Sequence, residues 1–273
     1  MRLLMCPPTH YSVVYEINPW MSRSRPASRQ RALGQWERLH HLLGELRAEV
    51  ECVEPRADWP DMVFTANAGL VRGRVAIPSR FRHPERRGEE PYFRSWFQQH
   101  GYDLRDLPED RFFEGEGDAL FCGDTLFAGY FWRSDVHSHR LVGEILGVRV
   151  LSLQLTDPHF YHLDTCFCPL GPETAAYYPP AFDEYAQRVL AANIPHLVAV
   201  EPDEAERFAC NAVVLGKEVA LNTGCPRFEE QLRGLGFRTH ATPLDEFLKA
   251  GGSAKCLTLH LDHPELDHPE KEA

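Results

Sequence analysis

Five segments of the chain share one pattern of polar and apolar positions. Each begins with Asn, Asp or Cys, continues as an apolar run and, in most cases, passes through a glycine-containing turn into a second apolar run. The segments begin at Asn67, Asp118, Asp164, Asn211 and Cys256, so the steps between them are 51, 46, 47 and 45 residues. Near-equal steps with matching local chemistry indicate internal repeats, each of them one supersecondary unit.

Hairpins and helices are predicted to alternate along these repeats. In the second and fourth segments, two apolar runs flank a short turn at residues 122–124 and 216–218, which predicts β-hairpins. Apolar residues recur at a period near 3.6 between the segments, and this predicts helices. The predicted helices cover residues 29–50, 84–100, 134–146, 180–192 and 226–235, with Pro180 and Pro226 in the first turns of the last two. Short strands are expected at residues 148–153 and 196–200.

A unit of strand, hairpin and helix cannot cover its own apolar faces, so neighbouring units must cover them. We therefore predict an α/β fold in which five ββαβ repeats close as a five-bladed propeller, a single domain over residues 1–261. The hairpins would line the axis, and the five starting residues would meet at one end of it. Asn and Asp also begin turns for local reasons, but a set of five that ends in a cysteine favours a shared polar site.

Composition and charge narrow the classes of function. The 273 residues are 43% hydrophobic, and 40 acidic against 29 basic residues give a net charge of −11. No basic run interleaved with aromatic residues suggests a nucleic-acid partner, and no apolar run approaches the roughly 20 residues that span a bilayer. The first residues turn polar too early for a signal peptide. The eight cysteines are therefore expected to be reduced thiols in the cytoplasm. The polar residues 262–273 are expected to form a flexible tail.

Cys256 is the candidate nucleophile because it is the last of the five starting residues and follows Gly251 and Gly252, which would let the backbone approach a ligand closely. The neighbouring Lys255 is a candidate for lowering the pKa of its thiol. An inert buried thiol is the ordinary alternative. We assign that alternative to the cysteines that lie within apolar strands, Cys6, Cys122, Cys166 and Cys168.

His162 and a run of acids are the other candidates for chemistry. Alternation along a strand would place His162 and Asp164 on one face, where an imidazole could protonate a leaving amine and then activate water. The run Phe-Glu-Gly-Glu-Gly-Asp at residues 113–118 holds three acids, which are costly to bury without cations. A guanidinium substrate and an imidazolium would supply that positive charge. A core histidine and an exposed acidic turn are the respective alternatives.

A zinc site is the less favoured hypothesis. His162, Cys166 and Cys168 superficially resemble a ligand cluster, but Cys-x-Cys within an apolar run lacks the usual ligand spacing and has no second pair. We therefore expect no metal and no organic cofactor.

Together these motifs resemble the amidine hydrolases and amidinotransferases, the penteins, and in particular the dimethylarginine dimethylaminohydrolase and arginine hydrolase branch. The resemblance runs from about residue 4 to residue 260. It is carried by the segments at residues 5–21, 61–70, 113–120, 162–165 and 251–256, where residues 113–118 have one residue more than the family's Glu-Gly-Gly-Asp. The resemblance implies the five-bladed pentein fold and a covalent attack by cysteine on a guanidinium carbon.

Carried over to this sequence, the resemblance implies a nucleophile, an acid/base and its partner, which are Cys256, His162 and Glu114. It also implies a set of substrate-binding residues: Asn18, Asp61, Asn67, Arg86, Asp118, Arg133 and Asp164. Within this set, Asp118 and Asp164 would face the guanidinium, and Arg86 and Arg133 would hold the substrate carboxylate.

One departure from the family pattern concerns the product. Dimethylarginine hydrolases and arginine deiminases usually have Asp where this chain has Asn67, whereas arginine hydrolases that proceed past citrulline to ornithine resemble it there. The predicted function is hydrolysis of arginine or a methylated arginine to citrulline, with ornithine as a further product. Amidino transfer to an amine and a non-catalytic pentein binding module are the alternatives, and the sequence leaves open whether the chain forms a homo-oligomer.

Overall fold

The computed structural model describes residues 1–263, and its β-strands form five three-stranded sheets. In each sheet, the middle strand pairs antiparallel with one neighbour and parallel with the other. The strands are β1 Arg2–Met5, β2 Glu49–Cys52, β3 Gly69–Arg72, β4 Val75–Pro78, β5 Asp103–Leu104, β6 Ala119–Cys122, β7 Thr125–Tyr130, β8 Arg149–Gln154, β9 Phe167–Gly171, β10 Thr174–Tyr177, β11 His196–Ala199, β12 Val213–Leu215, β13 Glu218–Asn222, β14 Arg238–Thr242 and β15 Leu259–His260.

Helices connect the second and third strands of each sheet, so the predicted ββαβ unit and the five-bladed α/β architecture are confirmed. The helices are α1 Arg29–Glu45, α2 Pro84–Arg87, α3 Glu90–Gln99, α4 Val136–Leu146, α5 Glu184–Asn193, α6 Pro202–Ala205, α7 Pro226–Gly234 and α8 Asp245–Leu248. Each of the strand pairs β3–β4, β6–β7, β9–β10 and β12–β13 is a hairpin. The segments at Asn67 and Asp164, whose hairpins were expected from the repeat rather than from a clear local turn, thus form hairpins as well.

The fifth sheet joins the two ends of the described chain. Strand β15 pairs antiparallel with β1, and β1 pairs parallel with β2. The predicted fifth strand began at Cys256, but the strand covers only Leu259–His260 because residues 254–257 form turns. Next to this sheet, Asp262 Oδ1 accepts a hydrogen bond from the backbone N–H of Arg2 at 2.9 Å. Of the predicted tail, residues 264–273 lie outside the described part of the chain.

Three predicted helices have different boundaries in the structure. Helix α1 ends at Glu45 rather than residue 50, because Arg47 takes a left-handed conformation (φ 68°) and the chain then enters β2. The helix predicted over residues 84–100 is two helices, α2 and α3. Helix α5 begins at Glu184, where the Asp183 side chain accepts a hydrogen bond from the backbone N–H of Ala186, so Pro180 lies in a preceding 3₁₀ turn and not in the helix. Pro226 does stand in the first turn of α7.

The core lies between the sheets and the helices that cover them. On α1, Ala32, Trp36, Leu39 and Leu43 are buried at helical spacing, whereas Leu33 faces solvent. The sheets thereby hold the segments that precede their first strands close to the axis. All five of these segments contain a 3₁₀ turn or another short turn at or next to a starting residue.

Candidate active site

The structure brings Cys256, Asp164 and Asn211 into direct contact. The Cys256 thiol donates to Asp164 Oδ2 (3.2 Å between Sγ and Oδ2), and Asn211 Nδ2 donates to Cys256 Sγ at 3.1 Å. Burial raises the pKa of the Cys256 thiol well above its ordinary value, and the Asp164 carboxylate raises it further. The free protein therefore holds Cys256 as a neutral thiol in a polar surrounding.

The two glycines of the loop before Cys256 are needed for close packing, and Gly251 also lines the cavity beside Cys256. Gly251 has a left-handed backbone (φ 81°), and a Cβ there would lie 2.7 Å from the Tyr161 hydroxyl oxygen. A Cβ at Gly252 would lie 2.6 Å from the ring of Phe64. Lys255 also differs from its predicted role, since Nζ donates to Glu116 Oε2 (2.8 Å) and is paired away from the thiol.

His162 lines the same cavity as Cys256 and forms a buried pair with Glu114. His162 Nε2 is 2.8 Å from Glu114 Oε2, and Arg133 Nη1 donates to the same oxygen at 3.2 Å. Burial alone would raise the pKa of Glu114, but Arg133 and His162 outweigh it and hold this pKa well below its usual range. The prediction that His162 and Asp164 lie on one face of a strand was wrong, because residues 163–165 form a 3₁₀ turn. The two side chains contact different partners, Glu114 and Cys256.

All three acids at residues 114–118 are buried, and two of them are neutralised by cations of the chain. Glu116 forms ion pairs with Lys255 and His260, at 2.8 Å in both cases. Burial would raise the pKa of Glu116, but His260 and Lys255 hold it well below its ordinary value. Asp118 instead accepts hydrogen bonds from Ser134 Oγ (2.6 Å) and from the backbone N–H of Leu163 (3.2 Å), which are neutral donors.

Neither Asp118 nor Asp164 has an ion pair within residues 1–263, and the same holds for Asp61 in the cavity lining. Burial raises the pKa of Asp118 to about 6 and that of Asp164 to about 7. Asp164 Oδ1 has no hydrogen-bond partner in the described part of the chain. Both acids can accept a positive charge from outside the protein.

The cavity beside Cys256 is narrow, with a volume of about 10 Å³, which is room for roughly one water molecule. Its lining includes six predicted site residues besides Cys256: Asn18, Asp61, Asn67, Arg86, Arg133 and His162. The other three predicted site residues, Glu114, Asp118 and Asp164, are not part of this lining. A larger cavity of about 540 Å³ is lined by Glu116 and Lys255 but by none of the predicted site residues.

The two predicted arginines differ in how much of the guanidinium is already used. Arg86 donates four hydrogen bonds, two of them to Glu89 (2.9 and 2.8 Å), one to Asn67 Oδ1 (2.9 Å) and one to the carbonyl of Asp61 (3.1 Å). Arg133 donates two, to Glu114 Oε2 and to the carbonyl of Ile17. A guanidinium has five N–H donors, so Arg86 retains one and Arg133 retains three.

The remaining predicted residues have distinct surroundings. Asp61 Oδ1 is buried without a hydrogen-bond partner in the described residues. Asn18 Nδ2 donates to the carbonyl of Ala250 at 3.0 Å, and its oxygen accepts from the backbone N–H groups of Trp20 and Met21. Asn67 Nδ2 donates to the carbonyl of Glu114 at 3.1 Å.

Three residues that touch the site were absent from the predicted set. Tyr161 packs under the Arg133 guanidinium (4.5 Å from its carbon to the ring centre), and Ser134 Oγ bridges Asp118 and the backbone of Glu114. Nothing in the local sequence marks these two. The third is Asn211, which the repeat spacing already placed at the axis.

Two further findings concern other classes of site. Within residues 1–263, no group of three or more His, Cys, Asp or Glu side chains could hold a metal ion. Nor is any helix of this part of the chain long and apolar enough to cross a membrane. All eight cysteines are free thiols.

Known proteins share this architecture. Residues 15–262 match the family described as N,N dimethylarginine dimethylhydrolase, eukaryotic. The chain is 51% identical over 270 residues to the bifunctional arginine dihydrolase/ornithine cyclodeaminase ArgZ of Synechocystis sp., with 97% of this chain and 38% of that protein aligned. It is 43% identical over 263 residues to the N(G),N(G)-dimethylarginine dimethylaminohydrolase of Mycobacterium tuberculosis, covering 96% of this chain and 86% of that protein.

A solved structure matches over nearly the whole described chain. A substrate-bound mutant of the N-terminal domain of ArgZ superimposes with a TM-score of 0.93 at 50% identity, over 96% of this chain and 98% of that chain. The present chain therefore spans well under half the length of ArgZ but matches its N-terminal domain almost completely.

Proposed function

Since this chain belongs to the dimethylarginine dimethylaminohydrolase family, we propose that it hydrolyses the guanidinium group of arginine through a covalent intermediate on Cys256. The observation that carries the proposal is the buried Cys256 thiol next to Asp164, in a cavity that is also lined by His162, the partner of Glu114. Arginine is the proposed substrate because the relatives at 51% and 49% identity are named arginine dihydrolases.

Charge supports a cationic substrate. Among the described residues, Asp118, Asp164 and Asp61 are buried without an ion pair, whereas Glu114 and Glu116 have cations of the chain beside them. A guanidinium that donates to Asp118 and Asp164 would neutralise them by charge-assisted hydrogen bonds. The same cation would weaken the hold of Asp164 on the thiol proton and so favour the thiolate.

The proposed reaction proceeds in two half-reactions. His162 takes the thiol proton and becomes an imidazolium that Glu114 stabilises, and the thiolate attacks the guanidinium carbon. The imidazolium then protonates the departing ammonia, which leaves a thiouronium on Cys256. His162 next removes a proton from water, the hydroxide adds to the thiouronium carbon, and the thiolate leaves and recovers its proton. Arginine and water thereby give citrulline and ammonium.

The backbone end of the substrate has its own proposed partners. The unpartnered Asp61 Oδ1 is suited to the substrate ammonium group, and the three spare N–H donors of Arg133 to its carboxylate. Arg86 has one spare donor and is proposed mainly to fix Asn67 and Glu89. Because arginine is far larger than the cavity, we expect the segment that carries Asn18 to move during binding.

Asn67 supports release of a second ammonia from the same arginine. Its oxygen is held by Arg86 and one N–H by the carbonyl of Glu114, so one N–H remains to donate to the oxygen of a ureido group. An Asp at this position would leave that oxygen unpaired, at a cost of about 1–3 kcal/mol. We therefore propose that citrulline is retained and that a second water converts it to ornithine, ammonia and carbon dioxide.

The test is a time course of ammonia, citrulline and ornithine with arginine as substrate. The proposal predicts two ammonia per arginine with ornithine as the final product, and accumulation of citrulline by Asn67→Asp. A wild-type ratio of one ammonia to one citrulline would contradict the second step. Faster release of alkylamine from methylated arginines would assign the dimethylarginine hydrolase activity instead. Transfer of the amidino group to an added amine would identify an amidinotransferase.

The free cysteines support a proposal for the compartment. Eight free thiols fit a reducing environment, and we propose a cytoplasmic location, which fractionation of the native host would test.

A further inference from the structure

The side chain of Asn211 is fully buried and uses its whole hydrogen-bonding capacity around the nucleophile. Its oxygen accepts from the backbone N–H groups of Ser253 (3.0 Å) and Cys256 (3.1 Å). Its amide nitrogen donates to the carbonyl of Asp164 (2.9 Å) and to Cys256 Sγ (3.1 Å). One side chain thus holds the loop that carries the thiol, the backbone of Asp164 and the sulfur atom itself.

The sulfur therefore lies between two hydrogen-bonding partners that have opposite effects on the protonation of the thiol. Asp164 accepts from the thiol and stabilises its protonated form, whereas an N–H that points at sulfur stabilises the thiolate. Asn211 is neutral, so its effect does not depend on pH or on the substrate. Once a guanidinium occupies Asp164, the donor from Asn211 remains in place.

We propose that Asn211 is a catalytic residue that donates a hydrogen bond to the Cys256 thiolate and fixes its direction of attack. This inference rests on the proposed role of Cys256 as nucleophile. The same donor would stabilise the thiolate a second time, when it leaves the intermediate. Removal of one donor from a developing charge commonly slows an enzyme on the order of a hundredfold or more. Because sulfur is a weaker acceptor than oxygen, we expect a loss of about ten- to a hundredfold here.

The first variant is Asn211→Asp, which keeps an oxygen for Ser253 and Cys256 but replaces the donor by an acceptor. The matched control is Asn222→Asp. Asn222 is equally buried, donates to the carbonyl of Arg207 (3.0 Å) and accepts from the backbone N–H of Leu244 (3.0 Å), and neither of these hydrogen bonds involves a thiol. Asn211→Ala removes the donor without adding charge. It therefore separates the loss of the N–H donor from the added negative charge of Asn211→Asp.

The measurement is the rate of alkylation of Cys256 by iodoacetamide between pH 6 and 10, followed by peptide mass spectrometry. The exposed Cys52 serves as the internal reference in every sample. We expect both Asn211 variants to lower the alkylation rate of Cys256 about ten- to a hundredfold at pH 8 and to shift its pH profile to higher pH. Asn222→Asp should leave the rate and the pH profile unchanged. Unchanged Cys256 profiles in folded Asn211 variants would overturn the inference.

A measurement on the unmodified sequence covers the case in which the variants do not fold. Side-chain amide NMR signals are recorded before and after alkylation of Cys256. The signal of Asn211 should shift and that of Asn222 should not, and an unmoved Asn211 signal would contradict the contact. Alkylation and NMR need no substrate, so they test Asn211 even if arginine is not hydrolysed.

Discussion

Replacing Asp164 by Asn should stabilise the fold while it stops the reaction. Asp164 is fully buried, accepts from the Cys256 thiol through Oδ2 and has no partner for Oδ1 in the described residues. Its charge is therefore not needed by the folded protein and is proposed to serve the substrate cation. An amide of nearly equal shape removes the charge and retains an oxygen for the thiol.

The magnitude follows from the pKa of Asp164, which burial raises from 3.8 to about 7. The folded state binds more protons than the unfolded state between these two values, so stability falls as pH rises through that window. The raised pKa of Asp164 lowers the stability of the folded state by up to about 4 kcal/mol at pH 8, where the group is ionised, and by about 2 kcal/mol at pH 5, where folding must protonate it. Asn carries no such cost at either pH, so its advantage should be about 2–3 kcal/mol larger at pH 8 than at pH 5.

Urea unfolding of the wild type and Asp164→Asn at the two pH values measures this difference, and Asp124→Asn at an exposed turn is the control. Comparing two pH values cancels any pH-independent packing or hydrogen-bonding effect of the amide. Ammonia release from arginine should fall at least about a hundredfold. The variant loses one charge-assisted contact to the guanidinium, and binding of the guanidinium no longer changes the charge beside the Cys256 thiol. An effect on stability that is the same at pH 5 and pH 8 would refute the reasoning.

Two further predictions concern the proposed catalytic pair. Cys256→Ser should retain less than about a tenth of the wild-type rate with an unchanged melting temperature, because a serine hydroxyl is far harder to deprotonate than a thiol. Steady-state kinetics and thermal melts would test this, and substantial activity of the variant would show that Cys256 is not the nucleophile. His162→Ala should lower kcat by about a hundredfold or more while arginine affinity, measured by calorimetry, changes little; a normal kcat across pH would point to another acid/base.

The five-bladed fold was predictable because the repeats share both a nearly constant spacing and a similar polar starting residue. Starting residues about 47 positions apart placed Asp164, Asn211 and Cys256 near one axis, and the structure brings them into contact. The repeat could not specify the fifth strand, because β15 is short and completes its sheet with the distant β1. Long-range pairing of this kind leaves no local signal.

The candidate site was predictable in its membership more than in its geometry. His162 and Asp164 were assigned to a strand, but a 3₁₀ turn carries this segment and directs each side chain to its own partner. The partner of Lys255 is Glu116, 139 residues away, and follows from tertiary packing, whereas Arg86 pairs locally with Glu89. Tertiary contacts of this kind override local periodicity.

The most direct test of the central claim is to quench the wild-type reaction with acid during turnover of arginine and to analyse the protein by mass spectrometry. The account predicts an adduct with the mass of arginine less ammonia, located on the peptide that contains Cys256 and absent from Cys256→Ser. Turnover without any adduct on this peptide, or an adduct on another cysteine, would contradict it.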